Sequence, residues 1–148
     1  MRILLALFLM GLVPVAMVAL PAPVSHASEQ LSPADQETIR DIIRQQFDAF
    51  RREDGKAAFA LASPGIQGMF GSARNFMAMV RQSYPQVYRP QEVEFRDIVD
   101  MNGRPTQRVL LIGPDGKPVI ALYSMERQPD GSWRIDGCML AKSDEMTV

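Results

Sequence analysis

The chain has 148 residues, 47% of them hydrophobic and 22% charged, with a formal net charge of −1. That is the length of one ordinary domain, too short for two independent cores and too apolar for a disordered chain. The near-neutral balance argues against nucleic acid as a partner, because phosphate binders carry a basic surplus.

Met1 and Arg2 precede an unbroken apolar run over residues 3–20, then Pro21-Ala22-Pro23 and the small-residue stretch Ser25-His26-Ala27. This pattern predicts a secretory signal peptide over residues 1–27, cut between Ala27 and Ser28. Gly11 and Pro14 weaken a continuous helix in the run, which favours cleavage over retention. The expected location is therefore the bacterial periplasm or the medium. A retained segment would instead anchor the chain to the inner membrane. Cleavage leaves 121 residues at a net charge of −2 and removes His26, the only histidine. Cys138 is the only cysteine, so no internal disulfide can form, and its apolar neighbours predict a buried small hydrophobe.

Residues 28–38 read as a leader and the start of a helix, residues 39–141 as one domain, and residues 142–148 as a frayed tail. Ser32-Pro33 opens the first helix, with serine as N-cap and proline in the first turn. Ile39, Ile42, Ile43, Phe47 and Phe50 form its apolar stripe, and three-apart pairs such as Asp41/Arg44 form its solvated face. It is expected to stop around Asp54-Gly55, with the glycine as C-cap. A second helix follows over residues 56–62, and residues 66–71 read as a glycine-punctuated loop. Ser72 caps a third helix carrying Phe76, Met79 and Val80, and residues 84–90 read as an extended connector.

Strand periodicity begins at Gln91, where Val93, Phe95, Asp97 and Val99 alternate with Glu94, Arg96, Ile98 and Asp100. Asn102-Gly103, Asp115-Gly116 and Asp130-Gly131 are hairpin signals, and they predict strands over residues 91–100, 108–112, 119–127 and 132–140. The two central strands are apolar on both faces, as in Val109-Leu110-Leu111-Ile112, so both faces of the sheet are expected to be covered. The helices would cover one face. A second copy of the chain, or sheet curvature, would cover the other.

The fold class is α+β, with three N-terminal helices packed on a curved four-stranded antiparallel sheet. Asp130-Gly131-Ser132-Trp133-Arg134-Ile135 on the last strand resembles the cone-shaped fold of nuclear transport factor 2, ketosteroid isomerase and the SnoaL-type cyclases. Phe47-Asp48-Ala49-Phe50, residues 58–66, Phe70-Gly71, residues 76–80, Tyr84, Tyr88-Arg89-Pro90, Gln107-Arg108-Val109 and residues 133–138 resemble the bacterial family called domain of unknown function 4864. The resemblance covers about residues 39–140 and implies an exported, cone-folded protein. It brings no reaction with it.

Without His26 there is no Ser-His-Asp or Cys-His site and no histidine metal ligand. Gly65, Gly68 and Gly71 follow no strand and do not make a dinucleotide fingerprint, and residues 113–117 are too short for a phosphate loop. Asp97, Asp100 and Asn102 lack the remaining ligands of a calcium loop. No cofactor or metal is expected, and no catalytic residue is assigned. A histidine-free enzyme would have to draw on Asp97, Asp136, Tyr84, Tyr88 and Tyr123, although Asp136 reads as an ion-pair partner for Arg134 or Arg108. The leading expectation is a non-catalytic module binding a small apolar ligand in the mouth of the cone, with Phe70, Tyr84, Tyr88 and Arg108 lining the pocket. The alternative is a structural homodimer paired through the sheet face.

Overall fold

Ser32 begins the first helix as its sequence predicts: its side chain accepts from the Asp35 N–H at 3.0 Å, and proline follows at the first helical position. The computed structural model describes residues 31–143. The expected signal segment with its Ala27–Ser28 cleavage point, and tail residues 144–148, lie outside them. Helix α1 (Pro33–Arg51) buries Ile39, Ile43, Phe47 and Phe50 as one stripe against the sheet and the other helices. Burial of such side chains stabilises by about 1.5–3 kcal/mol each.

The end of α1 differs from the expectation. Glu53, not Gly55, takes the left-handed conformation, at φ 57°. Asp54 then caps α2 (Gly55–Ala60) by accepting from the Ala57 N–H, so Gly55 opens the second helix instead of closing the first. The stretch expected to be a loop is helix α3 (Pro64–Phe70). Ser63-Pro64 repeats the cap-and-proline signal of Ser32-Pro33, and Gly71 closes the helix at φ 69°. Helix α4 (Ala73–Ser83) starts from a Ser72 cap as expected. The expected extended connector contains one helical turn, α5 (Pro85–Tyr88), in which proline supplies the helical φ. The described residues thus contain five helices where the sequence predicts three.

Strands β1 (Glu92–Met101), β2 (Arg104–Ile112), β3 (Pro118–Arg127) and β4 (Trp133–Lys142) form an antiparallel sheet in sequence order. Asn102 and Gly103 are both left-handed, at φ 56° and 78°, as a tight hairpin demands. Two bulges bend the sheet. In β1, Arg96 and Asp97 together oppose Arg108, and Gln107 Nε2 donates to the Arg96 carbonyl at 2.7 Å. This breaks the expected alternation, so Ile98 joins Val93 and Phe95 in packing against the core. In β4 the extra residue is Asp136, because Ile135 pairs with Met125 while Gly137 pairs with Ser124.

Val109, Leu111, Ala121, Tyr123, Met125, Trp133 and Ile135 face the helices. Leu110, Ile120, Leu122 and Met139 stand at the intervening positions, outside that core cluster, although Ile120 and Leu122 are buried. Met139 is 60% exposed.

An apolar cavity as candidate functional site

A cavity of about 220 Å³ lies between the helices and the inner face of the sheet. Helix α1 contributes Gln46 and Phe50 from its buried stripe. Helix α3 contributes Ile66, Met69 and Phe70, and α4 contributes Phe76, Met79 and Val80. Tyr84 and Val87 close one side, while Tyr123, Ile135, Gly137 and Cys138 of β3 and β4 form the sheet wall. Met69 lines the cavity yet is 73% exposed, so α3 borders both the cavity and solvent.

Two strand–helix bonds hold α3 in place. Ser63 N–H donates to the Ile135 carbonyl at 2.8 Å, and Ile135 N–H donates to Leu61 at 2.9 Å, forming a parallel bridge between Ala62 and Ile135. Ser63 Oγ adds a 2.7 Å bond to the carboxylate of Asp136, the bulged residue.

No aspartate, glutamate, lysine, arginine or histidine is among the residues lining the cavity. Tyr123 and Cys138 are cross-strand partners. Burial raises the Tyr123 hydroxyl well above its usual pKa, the neighbouring thiol adding to the effect. Burial likewise pushes the Cys138 thiol up to about 12. Both groups are neutral at physiological pH. Tyr123 Oη is buried and has no hydrogen-bond partner of normal geometry. Among the described residues, no group of three histidine, cysteine or acidic side chains is placed to hold a metal ion, and no helix is long and apolar enough to cross a membrane.

The family described as Domain of unknown function (DUF4864) matches residues 32–148. The chain belongs to that family. This DUF4864 chain is also similar to an NTF-2 like protein of unknown function from Burkholderia xenovorans LB400, whose crystal structure is known. That likeness has 18% sequence identity and a TM-score of 0.45, and covers 72% of this chain and 85% of the other. No curated protein matches the chain.

The DUF4864 fold brings only two of the four expected pocket residues together. Phe70 and Tyr84 line the cavity. Tyr88 and Arg108 do not. Tyr88 donates its hydroxyl to the Glu53 carboxylate, and its hydroxyl oxygen accepts from Arg81 Nε at 3.1 Å. Arg108 sits on the opposite face of the sheet and donates through Nε to Asp97 at 2.8 Å. The reason is the parity of β2, in which Val109 and Leu111 face the helices and Arg108 must face away.

Asp136 also has different partners from those expected. It pairs with Arg104 and accepts from Ser63, whereas Arg134 donates to the Ala60 carbonyl at 2.7 Å. Of the candidate acid–base residues, Tyr84 and Tyr123 reach the cavity, and Asp97 and Asp136 do not. Sequence reasoning missed Gln46, Val87, Ile135 and Cys138 as lining groups. Gln46 lies one position before Phe47 and is buried, but a polar residue beside an apolar stripe reads as solvated.

Proposed function

We propose that this DUF4864 domain is an exported, non-catalytic binding module that holds a small apolar molecule between its helices and sheet. The observation that carries this is the cavity of about 220 Å³, lined by phenylalanine, methionine, isoleucine and valine without a charged side chain. Such a lining favours an apolar occupant by removing its surface from water, and unbranched methionines adapt to its shape. Export is supported by the apolar run over residues 3–20 and the small residues before Ser28. Its site of action is then the periplasm or the medium.

Titration with 2-ethylnaphthalene, a neutral hydrocarbon, tests the binding reading. Saturable one-to-one binding is expected, and Val80→Phe should abolish it by filling the cavity while leaving the circular dichroism unchanged. Absence of saturable binding to the folded wild-type protein would refute it.

A second reading, a homodimer, is favoured by the outer face of the sheet, where Met139 is 60% exposed beside its cross-strand partner Leu122. Leu110, Ile120, Leu122 and Met139 are cross-strand neighbours there, through the pairs Leu110–Ile120 and Leu122–Met139, with Ile120 and Leu122 themselves buried. Glu94 and the Arg108–Asp97 pair flank them, so a second copy finds apolar centre and charged margin together. Light scattering at micromolar concentration should report twice the monomer mass, and Leu122→Asp should halve it. A wild-type monomer would end this reading.

A further inference from the structure

We propose that the occupant of the cavity is a neutral, largely apolar molecule bearing one hydroxyl or N–H group, which donates a hydrogen bond to Gln46 Oε1. The inference rests on the cavity's being a binding site and adds the chemistry of what it binds.

Gln46 lies on α1 one position before Phe47 and is 3% exposed. It carries the one side-chain amide in the cavity lining. Its Nε2 donates to the Ala58 carbonyl at 3.3 Å, which ties α1 to α2 and sets the amide with its oxygen turned from that carbonyl. Oε1 has no hydrogen-bond partner among the described residues. Three other side-chain polar atoms without a partner, Gln86 Oε1, Gln107 Oε1 and Tyr123 Oη, are sealed inside the protein. Gln46 Oε1 is not sealed with them. On a side chain so deeply buried, the surface that the oxygen keeps belongs to the cavity that the residue lines.

The bond to Ala58 gives the nitrogen a structural task. The oxygen has none, and an occupant that fills the cavity strips it of water. An occupant without a donor then leaves a buried acceptor unpaired, a penalty that a hydroxyl or an N–H avoids. The other polar groups of the lining do not offer the same contact. Tyr123 Oη is sealed and lies against the Cys138 thiol. Tyr84 is half-buried, so water can serve its hydroxyl.

Charge is selected against by the same lining. A carboxylate or an ammonium in this cavity would lose its hydration without meeting an opposite charge, since no acidic or basic side chain lines it. Alcohols, phenols and secondary amides on an apolar body satisfy both conditions.

Calorimetric titration of the purified protein with four shape-matched probes tests this. They are 2-naphthalenemethanol, 2-naphthaldehyde, 2-ethylnaphthalene and 2-naphthalenemethylamine, the last a cation at pH 7. The alcohol is expected to bind about five- to tenfold more tightly than the aldehyde, which accepts but cannot donate, the worth of one hydrogen bond. It should also exceed the hydrocarbon, and the ammonium should bind most weakly. Gln46→Met keeps the length of the side chain and removes its oxygen. In that variant the alcohol should fall to the affinity of the aldehyde, whose own affinity should not fall. Equal wild-type affinities for alcohol and aldehyde, or an alcohol preference that survives Gln46→Met, would overturn the assignment while leaving the cavity a binding site. Tighter binding of the aldehyde would give the contact to the amide N–H and overturn it too. Tyr84→Phe should keep the alcohol preference, so a loss there would move the contact to Tyr84 and overturn the assignment even if Gln46→Met does not fold. Tightest binding by the ammonium would overturn the neutrality. Failure of all four probes to bind would remove the binding reading itself.

Discussion

Ser63 Oγ donates a 2.7 Å hydrogen bond to the carboxylate of Asp136, 73 residues further along the chain. The same oxygen accepts from the Ile66 N–H and so caps helix α3, while the Ser63 N–H bonds the neighbouring strand residue Ile135. One fully buried serine therefore fixes the start of the helix that walls the cavity to the bulge of β4.

Replacing it tests that role. Ser63→Ala removes a cap and a donor to a carboxylate at once, and should destabilise the protein by about 1–3 kcal/mol. The urea midpoint measures this. Since α3 carries Ile66, Met69 and Phe70, the affinity for a cavity probe should fall in the same variant. Unchanged stability and affinity would show that the bridge at Ala62–Ile135 holds the helix alone.

Glu53 predicts an acid dependence. Its carboxylate accepts from Tyr88, Arg81 and Arg89, and the Tyr88 hydroxyl, followed by Arg81, holds its pKa below the usual value. A lowered carboxylate pKa contributes stability that is complete above the unfolded value, about 4.3, and is lost as pH falls through the folded one. Asp35 behaves alike, lowered first by the Trp133 indole N–H and then by Ser32. Stability should therefore be level at neutral pH with respect to these groups and decline below about pH 4. Glu53→Gln should lower the urea midpoint at pH 7, and the gap from wild type should close in acid. A gap that persists at pH 2.5 would show that packing, and not charge, makes the contribution.

Gly55 invites a substitution that ought to fail. Alanine favours a helix over glycine by about 0.5–1 kcal/mol. Here an added Cβ would stand 2.7 Å from Met77 Cγ, which is buried in the core where α2 meets α4. Overpacking costs about 1–3 kcal/mol, so the clash should win. Gly55→Ala is expected to melt at a lower temperature than wild type. A higher melting temperature would mean that Met77 turns aside freely.

Cys138 should be inert in the folded protein. Its thiol, pushed up to about 12 by burial, is protonated at pH 8, and only the thiolate attacks a disulfide reagent. Labelling by an aromatic disulfide should be slow in buffer and complete in denaturing urea. Rapid native labelling would place the thiol in contact with solvent.

The caps, turns and stripes were legible because each is local. Ser32-Pro33, Ser72 and the three hairpin glycines act within four residues, and the structure carries all of them. Ser63-Pro64 is an equally local signal, and the low helix propensity of Gly65 and Gly68 counts for less once α3 packs on its neighbours. The pocket was legible in part. Phe70 and Tyr84 are large aromatics beside predicted helix ends, whereas Tyr88 is drawn away by Glu53, 35 residues distant, and Arg108 is turned to the other face by the parity of β2.

By itself the sequence determined an α+β fold with an antiparallel meander, because hydrophobic period and turn chemistry are written in adjacent residues. Which side chains meet in the cavity was decided only by the tertiary structure. In an unbroken hairpin from the Asp130-Gly131 turn, Tyr123 would oppose Gly137, and Cys138 would face away from the helices. The extra residue at Asp136 shifts the register by one, bringing Cys138 beside Tyr123 and sending Met139 outward. A strand has a period of two, so one bulged residue exchanges its faces. Asp136 pairs with Arg104 of β2 and accepts from Ser63, and the second of these contacts exists only after the helices have packed on the sheet.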